Sequence, residues 1–196
     1  MTAQIHDKVF HRDREFAIFG RIGSDLFKPQ AHGIQPERLC TACWRGYFAR
    51  YEVLDGQLFL TKLNIGLSDS DGYAARAGQG KLLFGRPPRC DRQEIGFIYD
   101  ELRHPIPFSG SLLLNADFIR ELLLKVHDRP VWAHRNVREV LFTQGHLTDD
   151  LDRSSAMQSL RERILQGGKQ PFQQYDGSEN IDEWISKYFP GHQSNS

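Results

Sequence analysis

The stretch from Trp44 to Ile65, WRGYFARYEVLDGQLFLTKLNI, decides the fold. Aromatic and aliphatic residues run on both sides of Leu54-Asp55-Gly56. Asp-Gly in that setting marks a type I′ hairpin, because both turn residues must take φ > 0. With Asp55 and Gly56 as the turn, Val53 is expected opposite Leu58, and Tyr51 opposite Leu60. On the other face Glu52 meets Phe59, Arg50 meets Thr61 and Phe48 meets Leu63. Both faces are then partly apolar, as in a central hairpin covered by helices on one side and partly covered on the other.

The same signals extend outward. KVFHRDREFAIF (8–19) reads as a hairpin around the polar turn His11 to Glu15. Gly and Pro punctuate 20–38, a loop expected to lie on the core through Leu26, Phe27 and Ile34. Residues 66–95 read as a long loop with one short strand from Lys81 to Phe84, and 95–99 as a weak strand. IPFSGSLLLN is expected to be a strand running into a helix, ADFIRELLLKV, with Asn115 as N-cap. Phe118, Ile119, Leu122, Leu123 and Val126 would form its apolar stripe, and Pro130 would stop it. VWAHRNVREVLFT and HLTDDL suit a hairpin around Gln144-Gly145. SSAMQSLRERILQ reads as an amphipathic helix, and ENIDEWISKYF as a last one. Strands, helix, strands and helices without βα alternation predict an α+β fold. The expected architecture is an antiparallel sheet or open barrel of several hairpins, with about three helices packed on it. One domain over 1–190 is expected, with a frayed tail at 191–196.

Bulk properties narrow the function classes. The formal net charge is +0, so no global field draws in nucleic acid or an anionic membrane. No apolar run approaches the roughly 18 residues of a membrane-spanning helix. The N-terminus MTAQIHDKVF has no apolar core of a secretory signal. Three cysteines, an odd number, argue against a disulfide framework. The expectation is a cytoplasmic protein with reduced thiols and no membrane partner.

Several motifs fail on their own chemistry. Cys40 and Cys43 form a C-x-x-C pair, but a zinc site needs four ligands and no spacing supplies the rest. A thioredoxin-like dithiol sits at a strand-to-helix turn, whereas strand residues follow Cys43. Cys43 is therefore expected to be a small packing residue, with no metal and no cofactor. AARAGQGKL has Ala75 where a phosphate-binding loop needs Gly, and Leu82 where it needs a hydroxyl. SDSDG spaces Asp69 and Asp71 like a calcium loop, but Gly80 stands where the bidentate Glu belongs.

Three candidate sites survive. Trp44, Arg45, Tyr47 and Arg50 gather at the hairpin base and suit a non-enzymatic binding surface, for a protein partner or a small ligand. Strand alternation should turn either Trp44 or Arg45 inward, and a buried Arg45 would need a carboxylate or carbonyl. His104 and Ser109 are the residues of an alternative hydrolase or transferase, although no nucleophile elbow surrounds Ser109. The basic loop 74–92, with Arg76, Lys81, Arg86, Arg89 and Arg92 against Asp91, offers an alternative contact for anions or nucleic acid.

The blocks CTACWRGYFARYEVLDGQLFLTKLNI, PIPFSGSLLLNADFI and VREVLFTQGHL resemble an uncharacterised family of bacterial proteins of similar size. The family pattern reads T-A-C-W/Y-R-G, then P-F-[ST]-G-G-[LI]-L-[LI]-x-x-[DG]-F-I, then an E-[VL]-x-F hairpin. Ser111 stands where that pattern has its second Gly, and Cys40 lies outside it. The resemblance implies a bacterial, cytoplasmic, single-domain protein and brings no activity, ligand or partner.

Overall fold

A computed structural model describes residues 4–122 and 130–166. In chain order the strands are β1 (Lys8–His11), β2 (Arg14–Gly23), β3 (Tyr47–Leu54) and β4 (Gln57–Ile65). After them come helix α1 (Asp69–Arg76), β5 (Arg89–Cys90), β6 (Phe97–Tyr99), β7 (His104–Pro105) and β8 (Gly110–Phe118). The series ends with β9 (His134–Thr143), β10 (His146–Asp152) and helix α2 (Ser154–Leu165). The described residues divide into two compact units: 4–15, 25–108 and 144–146 form the first, and 16–24, 109–122, 130–143 and 147–166 the second. The helix expected over 179–189, the frayed tail, and Leu123 and Val126 lie outside the described residues.

In the first unit β1, β3, β4, β6 and β5 follow one another, and β7 pairs with β4. The hairpin of β3 and β4 turns at Asp55 (φ 48°) and Gly56 (φ 74°), the conformation Asp-Gly predicts. Val53 faces Leu58, Glu52 faces Phe59 and Tyr51 faces Leu60. Beyond that the expected register fails. Arg50 lies opposite Lys62 and Phe48 opposite Asn64, because Thr61 is an extra residue in β4. Its hydroxyl donates to the Arg50 carbonyl at 3.0 Å. This β-bulge has a packing cause. Leu58, Leu60, Leu63 and Ile65 are all fully buried, and strict alternation cannot point even and odd positions to one side.

The sheet is mixed rather than purely antiparallel. β1 pairs with β3 in parallel, Lys8 beside Arg50 and Phe10 beside Glu52. A parallel pair needs a crossover, and the stretch from Arg12 to Gly46 supplies it. Within that stretch Phe27 and Ile34 are buried as expected, and Leu26 is half-buried.

The loop expected over 66–95 contains helix α1. Ser68 caps it, its hydroxyl accepting from the Asp71 N–H at 3.2 Å and donating to the Asp71 carboxylate at 2.9 Å. That is a Ser-x-x-Asp cap before a short run of alanines, the signal that the polar reading of SDSDG missed. The short strand expected at Lys81 to Phe84 is instead a tight turn, Leu83 bridging to Arg86 around Phe84-Gly85.

In the second unit β2, β8, β9 and β10 follow one another. Here the expected helix from Asn115 is overturned: β8 continues to Phe118, and only a 3-10 turn at Arg120–Leu122 follows it among the described residues. β8 is paired on both sides, by β2 and β9, and Leu112 to Asn115 are consecutively buried. A strand covered on both faces reads as a continuous apolar run, which leaves Asn115 inside it rather than at a cap. The Asn115 amide approaches His134 Nδ1 at 3.4 Å, and that nitrogen lies 3.1 Å from the Pro130 carbonyl. Helix α2 forms as expected and buries Met157, Leu160 and Ile164 with Leu113, Trp132 and Val137. Two α-helices occur among the described residues, against about three expected.

Candidate functional site

The residues gathered at the hairpin base separate into two groups. Residues 40–46 are turns rather than strand, so alternation does not govern Trp44 and Arg45, and neither is buried. Trp44 is 65% exposed, with the Arg38 guanidinium 5.5 Å from its ring centre. Arg45 is held by the fold. Nε donates to the Tyr47 carbonyl at 2.7 Å, and the two terminal nitrogens grip the Asp7 carboxylate. Asp7 also accepts from the Ala49 N–H at 2.7 Å. The guanidinium lies 4.7 Å over the buried Tyr47 ring. Partial desolvation of the guanidinium disfavours the Arg45 charge, but Asp7 outweighs that and the net pKa is raised. Arg45 and Tyr47 thus fasten the N-terminal segment to β3.

Arg50 is different. The bulge at Thr61 sets it beside Lys62, and the parallel pairing sets it beside Lys8. Cross-strand neighbours share a face, so Lys8, Arg50 and Lys62 form a row of three cations across β1, β3 and β4. Both lysines are occupied: Lys8 pairs with Glu15, and Lys62 pairs with Glu94. The Arg50 guanidinium has Glu15 Oε2 at 3.8 Å, beyond hydrogen-bond reach, and Glu94 near enough to feel its charge. Its Nε is buried and has no hydrogen-bond partner.

One position further along the same face stands Asn64, fully buried. Its amide donates to Glu94 Oε2 at 3.0 Å and to the Ile95 carbonyl at 3.2 Å. Its Oδ1 has no partner. Among the described residues these two atoms, Arg50 Nε and Asn64 Oδ1, are the buried side-chain polar atoms without a hydrogen bond. One is a donor and the other an acceptor, and they lie diagonally across one hairpin. The Lys62 hydrogen bond, with help from Asn64, holds the Glu94 carboxyl below its ordinary range.

No family model matches the chain, and neither does any curated protein or solved structure.

The His104 and Ser109 pair expected for a hydrolase is divided between the units. His104 is in the first, stacked on Phe84 with ring centres 3.6 Å apart and planes 7° apart. His32 lies 6.2 Å away, and Phe27 stacks on His32 at 5.1 Å. Burial, aided by the charge of His32, lowers the His104 pKa. Among the described residues no carboxylate hydrogen-bonds to its ring. Ser109 is in the second unit, where its N–H donates to the Ser24 hydroxyl at 2.9 Å and its carbonyl accepts from the Ser24 N–H.

Two of the five cations of the basic loop pair with carboxylates, and Arg92 is exposed with no carboxylate on it among the described residues. Arg89 pairs with Asp91 and Asp100, and Arg86 with Glu101. Lys81 donates to the Gly33 carbonyl, and Arg76 lies over the Phe97 ring. Among the described residues no cluster of three or more His, Cys, Asp or Glu is placed to hold a metal ion. No helix among them is long and apolar enough to cross a membrane.

Proposed function

We propose that this chain is a non-enzymatic binding protein that holds a small anionic ligand on the face of Lys8, Arg50, Lys62 and Asn64. The observation that supports this is the arginine at the centre of the row, whose buried side-chain Nε makes no hydrogen bond. Arginine presents five donors in a planar fork suited to carboxylate or phosphate. The unpaired Asn64 acceptor adds a second requirement, a donor beside the anionic group. A hydroxylated carboxylate or phosphate ester supplies both. Glu15 and Glu94 flank the row and select against a bare, highly charged anion by leaving one net positive charge.

Thermal denaturation with inorganic phosphate, simple carboxylates, hydroxycarboxylates and sugar phosphates tests the reading. A ligand at ~100 times its Kd adds about 2.7 kcal/mol to stability. The hydroxylated anions are expected to raise Tm most. Arg50→Gln is expected to weaken binding about ten- to hundredfold, the loss of a charged hydrogen bond worth ~1.5–3 kcal/mol. The bound compound should be recovered unchanged. The proposal fails if no anion shifts Tm, if Arg50→Gln binds as well as the native chain, or if the compound is converted.

A second reading, docking of a protein partner, is favoured by the exposure of Trp44, since tryptophan anchors many interfaces. It predicts a partner captured by the native chain and lost with Trp44→Ala.

A further inference from the structure

Cys40 and Cys43 look across a turn at each other. They are antiparallel bridge partners around Thr41-Ala42, and the Cys43 N–H donates to the Cys40 carbonyl at 3.1 Å. Residues that close such a turn have Cα atoms under about 7 Å apart, and directly opposed bridge partners about 5.5 Å apart. A disulfide needs Cα atoms about 4.4–6.8 Å apart with side chains on one side. Opposed bridge partners that close a turn fall in that range, and such partners share a face.

We infer that Cys40 and Cys43 form a reversible redox pair that closes to an intramolecular disulfide by exchange with a small-molecule disulfide. The two thiols have different access. Cys40 is half-buried, whereas Cys43 is buried, with its thiol directed at the Tyr47 carbonyl at 3.3 Å. The Cys40 thiolate attacks one sulfur of the external disulfide RSSR and releases RS⁻. Cys43 then gives its proton to solvent, its thiolate attacks the Cys40 sulfur, and the second RS⁻ leaves. Two protein thiols are oxidised and one external disulfide is reduced. Burial raises the Cys43 pKa, so the second step runs faster at alkaline pH.

Closure reaches beyond the turn. It removes the Cys43 bond to the Tyr47 carbonyl, the same oxygen that accepts from Arg45 Nε. The next residue, Trp44, takes Gln4 Oε1 on its N–H, and the Ile5 N–H donates to the Ala42 carbonyl. The state of the pair is therefore read by the N-terminal strap over the turn. Cys90 is exposed on β5 and serves as an internal reference thiol.

The full chain is equilibrated with oxidised and reduced glutathione in several ratios, acid-quenched, alkylated and weighed intact and after digestion. Cys40 and Cys43 are expected to lose two hydrogens together without carrying glutathione. Cys90 should stay alkylatable or carry a single adduct. The same series in urea is expected to need at least about tenfold more oxidising conditions, or ~30 mV. In Cys43→Ser a glutathione adduct should accumulate on Cys40. A stable adduct on Cys40 in the native chain, reduced thiols at full oxidation, or equal equilibria in native and urea samples would overturn the inference. Native-chain mass data decide this even if the variant does not fold.

Discussion

Two arginines five residues apart in sequence have opposite roles, and only their partners tell them apart. Arg45 spends its donors on Asp7 and Tyr47, so it is a fastening. Asp7 is the centre of that fastening, with a side chain only 11% exposed. Asp7→Ala is expected to cost about 1.5–3 kcal/mol in urea unfolding, because a charged acceptor with several donors is lost. Lys28→Ala, which breaks an exposed pair with Asp25, should cost under ~0.5 kcal/mol. His104 gives a pH test. Its folded pKa lies below the ordinary 6.5, mainly through burial, so the unfolded chain takes up a proton first as pH falls. Stability is therefore flat above that value and declines as pH drops below it, until the folded pKa is passed. His104→Phe keeps a ring against Phe84 and should remove that part of the acid decline, measured by denaturant midpoints from neutral to mildly acidic pH.

At the scale of elements, two hairpins use the same turn in different surroundings. Gly56 and Gly145 both have positive φ, at 74° and 82°. A Cβ on Gly56 meets nothing, whereas one on Gly145 runs into the Ile106 carbonyl. Gly56→Ala is expected to cost about 1–2 kcal/mol, the penalty of a left-handed L-residue. Gly145→Ala should cost clearly more, because backbone must also move; equal losses in urea unfolding would refute the difference. In the second unit Leu160→Ala should cost about 2–5 kcal/mol, since Leu160 is buried in the cluster around Trp132. The turns and α2 were legible because Asp-Gly, Gln-Gly and the Met157-Leu160-Ile164 spacing are local signals. The bulge was partly legible: the buried leucines change from even to odd positions between Leu60 and Leu63. The course of β8 was not, because SLLLNADF suits either a strand into a capped helix or one long strand. Pairing on both sides chose the strand.

For the whole molecule, the formal net charge of +0 is also arranged locally. Two arginines of the basic loop have carboxylates at hand, Arg89 with Asp91 and Asp100 and Arg86 with Glu101. Single-stranded DNA is therefore expected to show no salt-dependent binding in fluorescence anisotropy. A slope of several phosphates in log K against log salt would contradict this. The sequence by itself determined what depends on neighbours along the chain: the α+β class, the I′ turns, the register next to each turn and the face of α2. Only the tertiary structure decided which charges find partners. Lys8, Arg50 and Lys62 are far apart in sequence, and a parallel pairing plus one bulge bring them into a row. The same holds for Cys40 and Cys43, whose spacing is plain in the sequence but whose opposition depends on a turn held by the strap of residues 4–7. Hydrogen-bond satisfaction is a property of the folded surroundings, so the unpaired Arg50 Nε could not be read from its own stretch of chain.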